Sequence, residues 1–140
     1  MNNEENNSGH INLKITNVDN AAFIDYGLES EISRMVDLVA SKIEFVDDLN
    51  DIDFNLRDTN GNTVGHINYV PVDGEQESDP ETVISLSIEL GNAAFEDNVG
   101  VEIARILREV AGKISDGMRY FGLQDANGNS VGNFEWQNAK

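Results

Sequence analysis

Recurring blocks and the spacing of apolar residues predict an α+β fold for this 140-residue chain. The expected architecture is two tandem β-α-β-β units related by pseudo-twofold symmetry. They share one largely antiparallel sheet with two helices on one face. Three features lead there. Similar blocks follow one another in the same order twice. Each copy holds one helix-period stretch among stretches that alternate like strands. A single copy would bury too little apolar surface to stand alone, so the copies must share an interior.

The first copy reads NAAF at Asn20 to Phe23, EISRMVDLVASKI at Glu31 to Ile43 and LRDTNGNTVG at Leu56 to Gly65. The second reads NAAF at Asn92 to Phe95, EIARILREVAGKI at Glu102 to Ile114 and LQDANGNSVG at Leu123 to Gly132. One domain over 11–140 therefore comprises repeats 11–70 and 82–136. Residues 1–10, MNNEENNSGH, are polar and read as a disordered start. Segment 71–81 holds Pro71, Gly74, Pro80 and five acids, and reads as an exposed linker.

Ile11, Leu13 and Ile15 alternate with polar residues, as a half-buried strand requires. Val83 or Ile84, then Leu86, Ile88 and Leu90, repeat the pattern. Each NAAF leaves its strand, and Phe23 and Phe95 are expected to plug the gap between helix and sheet. The first helix sets Ile32, Met35, Val36, Val39 and Ile43 on one face; the second sets Ile103, Ile106, Leu107, Val110 and Ile114. Ala40 and Ala111 offer small side chains where a helix can lie close to a sheet. Gly112 lowers helix propensity near the end of the second helix.

Asn60-Gly61 and Asn127-Gly128 mark hairpins, because both residue types tolerate the positive φ of tight turns. Phe54 and Leu56 enter the first turn, and Val64, Ile67 and Tyr69 leave it. Phe121 and Leu123 enter the second, and Val131, Phe134 and Trp136 leave it. Gly65 and Gly132 come after the turns at matching places, suited to a bulge or to close packing against the neighbouring copy.

Twenty-six acids stand against nine Lys and Arg, a formal net charge of -17. Such a surface repels bare nucleic acid and anionic membranes. It suits a basic partner, or simply high solubility. Residues 1–70 carry thirteen acids and four bases, and residues 71–140 thirteen acids and five bases, so the acidity belongs to the whole surface. The absence of Cys excludes disulfides, thiolate chemistry and Cys-ligated zinc. The polar start has no signal-peptide pattern, and no stretch is apolar enough to span a bilayer.

Catalysis finds little support. His10 and His66 have no nucleophile or acid at useful spacing, and no carboxylate is singled out for a shifted pKa. Asp58-Thr-Asn-Gly-Asn62 and Asp125-Ala-Asn-Gly-Asn129 place oxygens at alternating positions. Their glycine is fourth rather than sixth, and no Glu stands at the twelfth position, so they read as turns whose aspartates bond turn amides. Weak surface calcium is the alternative; no metal or cofactor is expected. No phosphate-cradling loop or aromatic-interleaved basic patch is present. Arg34, Lys42, Arg105, Arg108 and Lys113 lie on the helices, facing Glu31, Asp37, Glu102 and Glu109 as pairing partners.

The acidic clusters are the functional lead. Glu44, Asp47, Asp48, Asp51 and Asp53 crowd the end of the first helix and the loop after it. Asp73, Glu75, Glu77, Asp79 and Glu81 crowd the linker. The plainer reading is solubility. The functional reading is an anionic face that pairs with Arg and Lys of a nucleic-acid-binding protein, its carboxylates standing in for phosphates. Arg105, Arg108 and Lys113 keep the second helix out of that face.

The repeated blocks resemble a family of small bacteriophage and mobile-element proteins. Its members look like one unit: a strand, NAAF with acids after it, E-[IV]-A-R-I-L around a helix, and an LRDxNGNxVG hairpin. Asn92, Ala93, Ala94, Phe95, Glu96 and Asp97 match the opening, and Glu102, Ile103, Ala104, Arg105, Ile106 and Leu107 match the helix. Asp125, Asn127, Gly128, Asn129, Val131 and Gly132 match the hairpin. The first copy departs at Ser33, at Met35-Val36 and at Ile24. The resemblance implies a phage or mobile-element origin. The expected role is then a non-enzymatic inhibitor of a basic host defence protein, of anti-CRISPR or anti-restriction type, acting by DNA mimicry in the bacterial cytoplasm. The alternative is a phage structural or accessory protein acting through assembly. The doubled chain is expected to do alone what single-unit members do as dimers, though a homodimer stays open.

Overall fold

The computed structural model describes residues 9–71, 82–91, 93–96 and 98–137. The fold is α+β. The elements among the described residues are β1 (His10–Ile15), α1 (Ala21–Tyr26), α2 (Leu28–Ile43), β2 (Asp53–Arg57), β3 (Thr63–Val70), β4 (Ile84–Glu89), α3 (Val99–Ser115), β5 (Tyr120–Gln124) and β6 (Ser130–Trp136). These six strands form one sheet in the order β2-β3-β1-β4-β6-β5, and helices pack on one face. Short 3-10 turns cover Leu49–Asp51 and Ala93–Phe95. All strand pairings are antiparallel.

The core arises from two periodicities. Ile11, Leu13 and Ile15 of β1 point under the helices, as do Ile84, Leu86 and Ile88 of β4. At the centre of the sheet Leu13 stands opposite Leu86, with Ile11 opposite Ile88 and Ile15 opposite Ile84. The expected apolar faces of α2 and α3 cover this row, and all join one cluster. Phe23 and Phe95 are buried in that cluster, as their position predicts.

Several expectations need correction. His10 opens β1 rather than ending a disordered start; residues 1–8 lie outside the described residues. The identical NAAF blocks differ in form: the first enters α1, the second makes only a 3-10 turn. Gly27, at φ +93, separates α1 from α2. The Ala111 carbonyl accepts from Ser33 Oγ of the other long helix at 2.9 Å. At Gly100 the start of α3 lies close on the end of α2, where a Cβ would overlap the Ile43 carbonyl oxygen.

The hairpins form at the expected places with a different turn. Gly61 and Gly128 have positive φ (+89 and +86), but Asn60 and Asn127 do not. Gly61 N–H donates to the Asp58 carbonyl and Asp58 N–H to the Asn62 carbonyl, which widens the loop beyond two residues. The register slips beside each turn, at Leu56/Arg57 and Leu123/Gln124, and the extra residues Val64 and Val131 both point into the core. Gly65 and Gly132 are close-packing positions: a Cβ would overlap the carbonyl oxygens of Lys14 and Ser87 respectively. Those neighbours are β1 and β4, within the same half of the chain, not in the other copy.

Candidate interaction surface

Two buried carboxylates fix the frame. Glu31, 2% exposed, sits in the first turn of α2. Arg34, one turn on, donates Nε to Oε1 at 3.3 Å and Nη2 to Oε2 at 2.8 Å. From the first hairpin, Thr59 adds its N–H and its hydroxyl. Glu102 repeats this in α3 with Arg105 at 3.1 and 2.9 Å and the Ala126 N–H at 2.7 Å. Each long helix is thus latched at its start to a hairpin turn. Burial pushes the Glu31 carboxyl up, but the bonds from Arg34 and Thr59 outweigh it and hold it below the usual range. The hydrogen bond to Glu102 pushes Arg105 up in turn. Sequence reasoning placed these glutamates as surface pairing partners and missed their burial. The available signal was the same Glu-x-x-Arg spacing beside both hairpin blocks.

Asp58 and Asp125 act on the turns as expected. Asp58 Oδ1 accepts from the Asn62 N–H at 2.9 Å and Oδ2 from Asn20 Nδ2 at 3.0 Å. Asp125 Oδ1 accepts from the N–H groups of Asn127 and Asn129, both at 2.9 Å. Burial raises the Asp58 carboxyl, and its amide donors, led by Asn62, more than compensate.

The described acids of the expected face differ in their partners. Glu44 accepts from Arg108 Nη2 of the other long helix at 2.6 Å. Asp53 lies on β2, paired with His66 Nε2 at 2.5 Å. Asp48 caps a 3-10 turn through the Asn50 N–H at 3.0 Å. Asp47 and Asp51 are exposed on the same loop. Asp73, Glu75, Glu77, Asp79 and Glu81 lie outside the described residues.

The structure also has a cleft of about 650 Å³ between loop 46–50 and Phe95, Glu96, Asn98 and Val99. Its apolar lining comes from Val46, Leu49, Tyr69, Leu90, Phe95 and Val99. Asp47, Asp48 and Glu96 carry the charge around it, and Asn50 and Asn98 add amides. Phe45, at the same loop, is 81% exposed. Glu96 belongs to the second half and was not among the acids picked from sequence; only the fold brings it beside Asp47 and Asp48.

Cations are drawn to internal partners elsewhere. Arg34 and Arg105 serve the latches, and Arg105 also binds Glu109 at 2.9 Å. Arg119 pairs with Glu29 at 2.9 Å and lies 3.9 Å from the Trp136 ring centre. Lys42 and Lys113 sit over Phe54 and Phe121 at 5.7 and 5.0 Å. Of the acids expected as partners, Glu31, Glu102 and Glu109 pair with Arg34 and Arg105, whereas Asp37 is in none of the described ion pairs and Arg108 turns to Glu44.

No protein-family model matches the chain, and no curated protein or solved structure is significantly similar to it. Among the described residues, no helix is long and apolar enough to cross a membrane.

Proposed function

We propose that this chain is a non-enzymatic binding protein whose acidic end docks a basic, nucleic-acid-binding host protein and keeps nucleic acid away from it. The observation that carries the reading is the cleft whose lining brings Asp47, Asp48 and Glu96 together beside Val46, Leu49 and Val99. Unpaired carboxylates steer a cationic surface toward that end. The exposed Phe45 beside it adds an apolar contribution that salt does not screen. Among the described acids of this region, Glu44 and Asp53 have partners, leaving Asp47, Asp48, Asp51 and Glu96.

We read the architecture as a tandem duplication about a pseudo-twofold axis between β1 and β4. Supporting this, β2-β3-β1 on one side answers β5-β6-β4 on the other. Leu13 faces Leu86 at the centre, and the glutamate latch occurs once in each half. A phage or mobile-element origin, and defence inhibition of anti-CRISPR or anti-restriction type, rest on the block resemblance. The exposed Phe45, Ile24 and Tyr26 favour a second reading, an accessory protein acting through assembly.

Affinity capture from bacterial extract tests the first reading. A nucleic-acid-binding protein should be retained, released by competing duplex DNA, and lost when Asp47, Asp48 and Glu96 are all changed to Lys. Retention that ignores both the competitor and the charge reversal overturns the reading. Salt-resistant capture of virion components selects the second.

A further inference from the structure

Strand β2 is an edge of the sheet, since it pairs only with β3 among the described residues. Tyr69 N–H donates to the Ile52 carbonyl at 3.1 Å just before β2 begins. Bonded and non-bonded pairs alternate along an antiparallel ladder. The N–H and C=O groups of Asp53, Asn55 and Arg57 therefore point away from β3. One of them is already used: the Arg57 carbonyl accepts from Arg34 Nη2 at 3.1 Å.

Alongside this edge runs α2. A cleft of about 270 Å³ separates the two, with Arg34, Leu38 and Lys42 on one side and Asn55 and Arg57 on the other. The three helix residues are spaced four apart and so form one stripe with a step of about 6 Å. Alternate residues of an extended strand are about 6.6 Å apart and share a face. A strand laid against β2 therefore meets Arg34, Leu38 and Lys42 with every second side chain. Leu38 is 51% exposed between the two cations.

The other half indicates what is missing. By sequence block, Arg105, Glu109 and Lys113 correspond to Arg34, Leu38 and Lys42. There Glu109 fills Arg105 Nη1 at 2.9 Å. Leu38 cannot do the same, and Arg34 Nη1 has no partner among the described residues.

We propose that the groove between α2 and β2 binds an extended peptide as a seventh strand, one bearing acid, apolar and acid side chains at alternate positions. Backbone bonds to Asp53 and Asn55 supply register-independent affinity, and the stripe selects the sequence. The outer acids reach Arg34 and Lys42, and the apolar residue between them covers Leu38. The groove is separate from the acidic end, and its occupant has the opposite charge.

The labelled peptide ETLTE, titrated against the full chain by fluorescence anisotropy, is the probe, with KTLTK as control. ETLTE should bind at least roughly tenfold more tightly, the worth of one charge-assisted contact. Amide resonances of Asp53 and Asn55 should shift most. Leu38→Glu, which copies the other half at an exposed site, should weaken ETLTE by a similar factor while leaving the melting temperature in place. Equal binding of the two peptides, no saturable binding of ETLTE, or shifts centred away from β2 overturns the proposal. Self-pairing of the chain along β2 as concentration rises overturns it as well.

Discussion

Glu31 shows how much a single side chain here does for the frame. Its carboxylate gathers donors from Arg34 and from both the backbone and the hydroxyl of Thr59, within a site closed to solvent. Glu31→Gln keeps the shape and replaces an acceptor oxygen with a donor facing N–H groups. The expected loss is about 1–3 kcal/mol by urea denaturation, and Glu102→Gln should lose a similar amount. The pH dependence has a definite sign. Glu31 and Asp58 titrate lower when folded than when unfolded. Their contribution is complete above the unfolded value near about 4 and is lost as pH falls through the lower folded value. Glu31→Gln should therefore flatten the acid limb of a stability–pH curve, and an unchanged limb would count against the latch. At this scale the core was legible, because apolar periodicity marks which face turns inward. The buried glutamates were not, since they are buried only by hairpins 24 or more residues away in sequence.

Among the elements, glycine identity separates two kinds of position. Gly112 lies inside α3 with open space where a Cβ would stand. Gly112→Ala should raise stability by about 0.5–1 kcal/mol, read from the urea midpoint. Gly132 has the Ser87 carbonyl in that space. Gly132→Ala should instead cost on the order of 1–3 kcal/mol as β6 moves off β4. Opposite signs for the pair are the test. The hairpins, strands and both long helices could be read from turn residues and spacing. The form of the turns was legible only in part: the aspartate bonds to turn amides could be read, but the Asn-Gly pairs suggest a tighter loop than the one closed by Asp58 N–H to the Asn62 carbonyl and Asp125 N–H to the Asn129 carbonyl. NAAF makes the same point. Ala21–Phe23 enter a helix that stops before Gly27, whereas Ala93–Phe95 form only a 3-10 turn ahead of Asn98, at φ +53.

For the molecule as a whole, the charge of -17 opposes compaction, and most helix cations are already committed to near partners. Added salt should screen the remaining repulsion and raise the melting temperature by a few degrees, roughly the effect of 1 kcal/mol. A fall with salt would mean that the ion pairs outweigh the repulsion. The central row Ile11, Leu13, Ile15 against Ile88, Leu86, Ile84 joins the halves. A chain ending at residue 71 would leave that row bare, so it should be unfolded or self-associated in size-exclusion and circular-dichroism measurements, not a folded monomer. The cleft beside Asp47 was legible only in part. Its first-half acids are adjacent in sequence, whereas Glu96 reaches them through the packing of Gly100 on the end of α2.

The latches also leave a kinetic signature. Backbone amides at hairpin tips ordinarily trade their hydrogen for deuterium among the fastest in a protein, because water reaches them freely. The Thr59 and Ala126 amides instead donate to carboxylates shut away from water. They should trade slowly, and each reports on its own half. Unequal rates at the two would show one half breathing while the other stays closed.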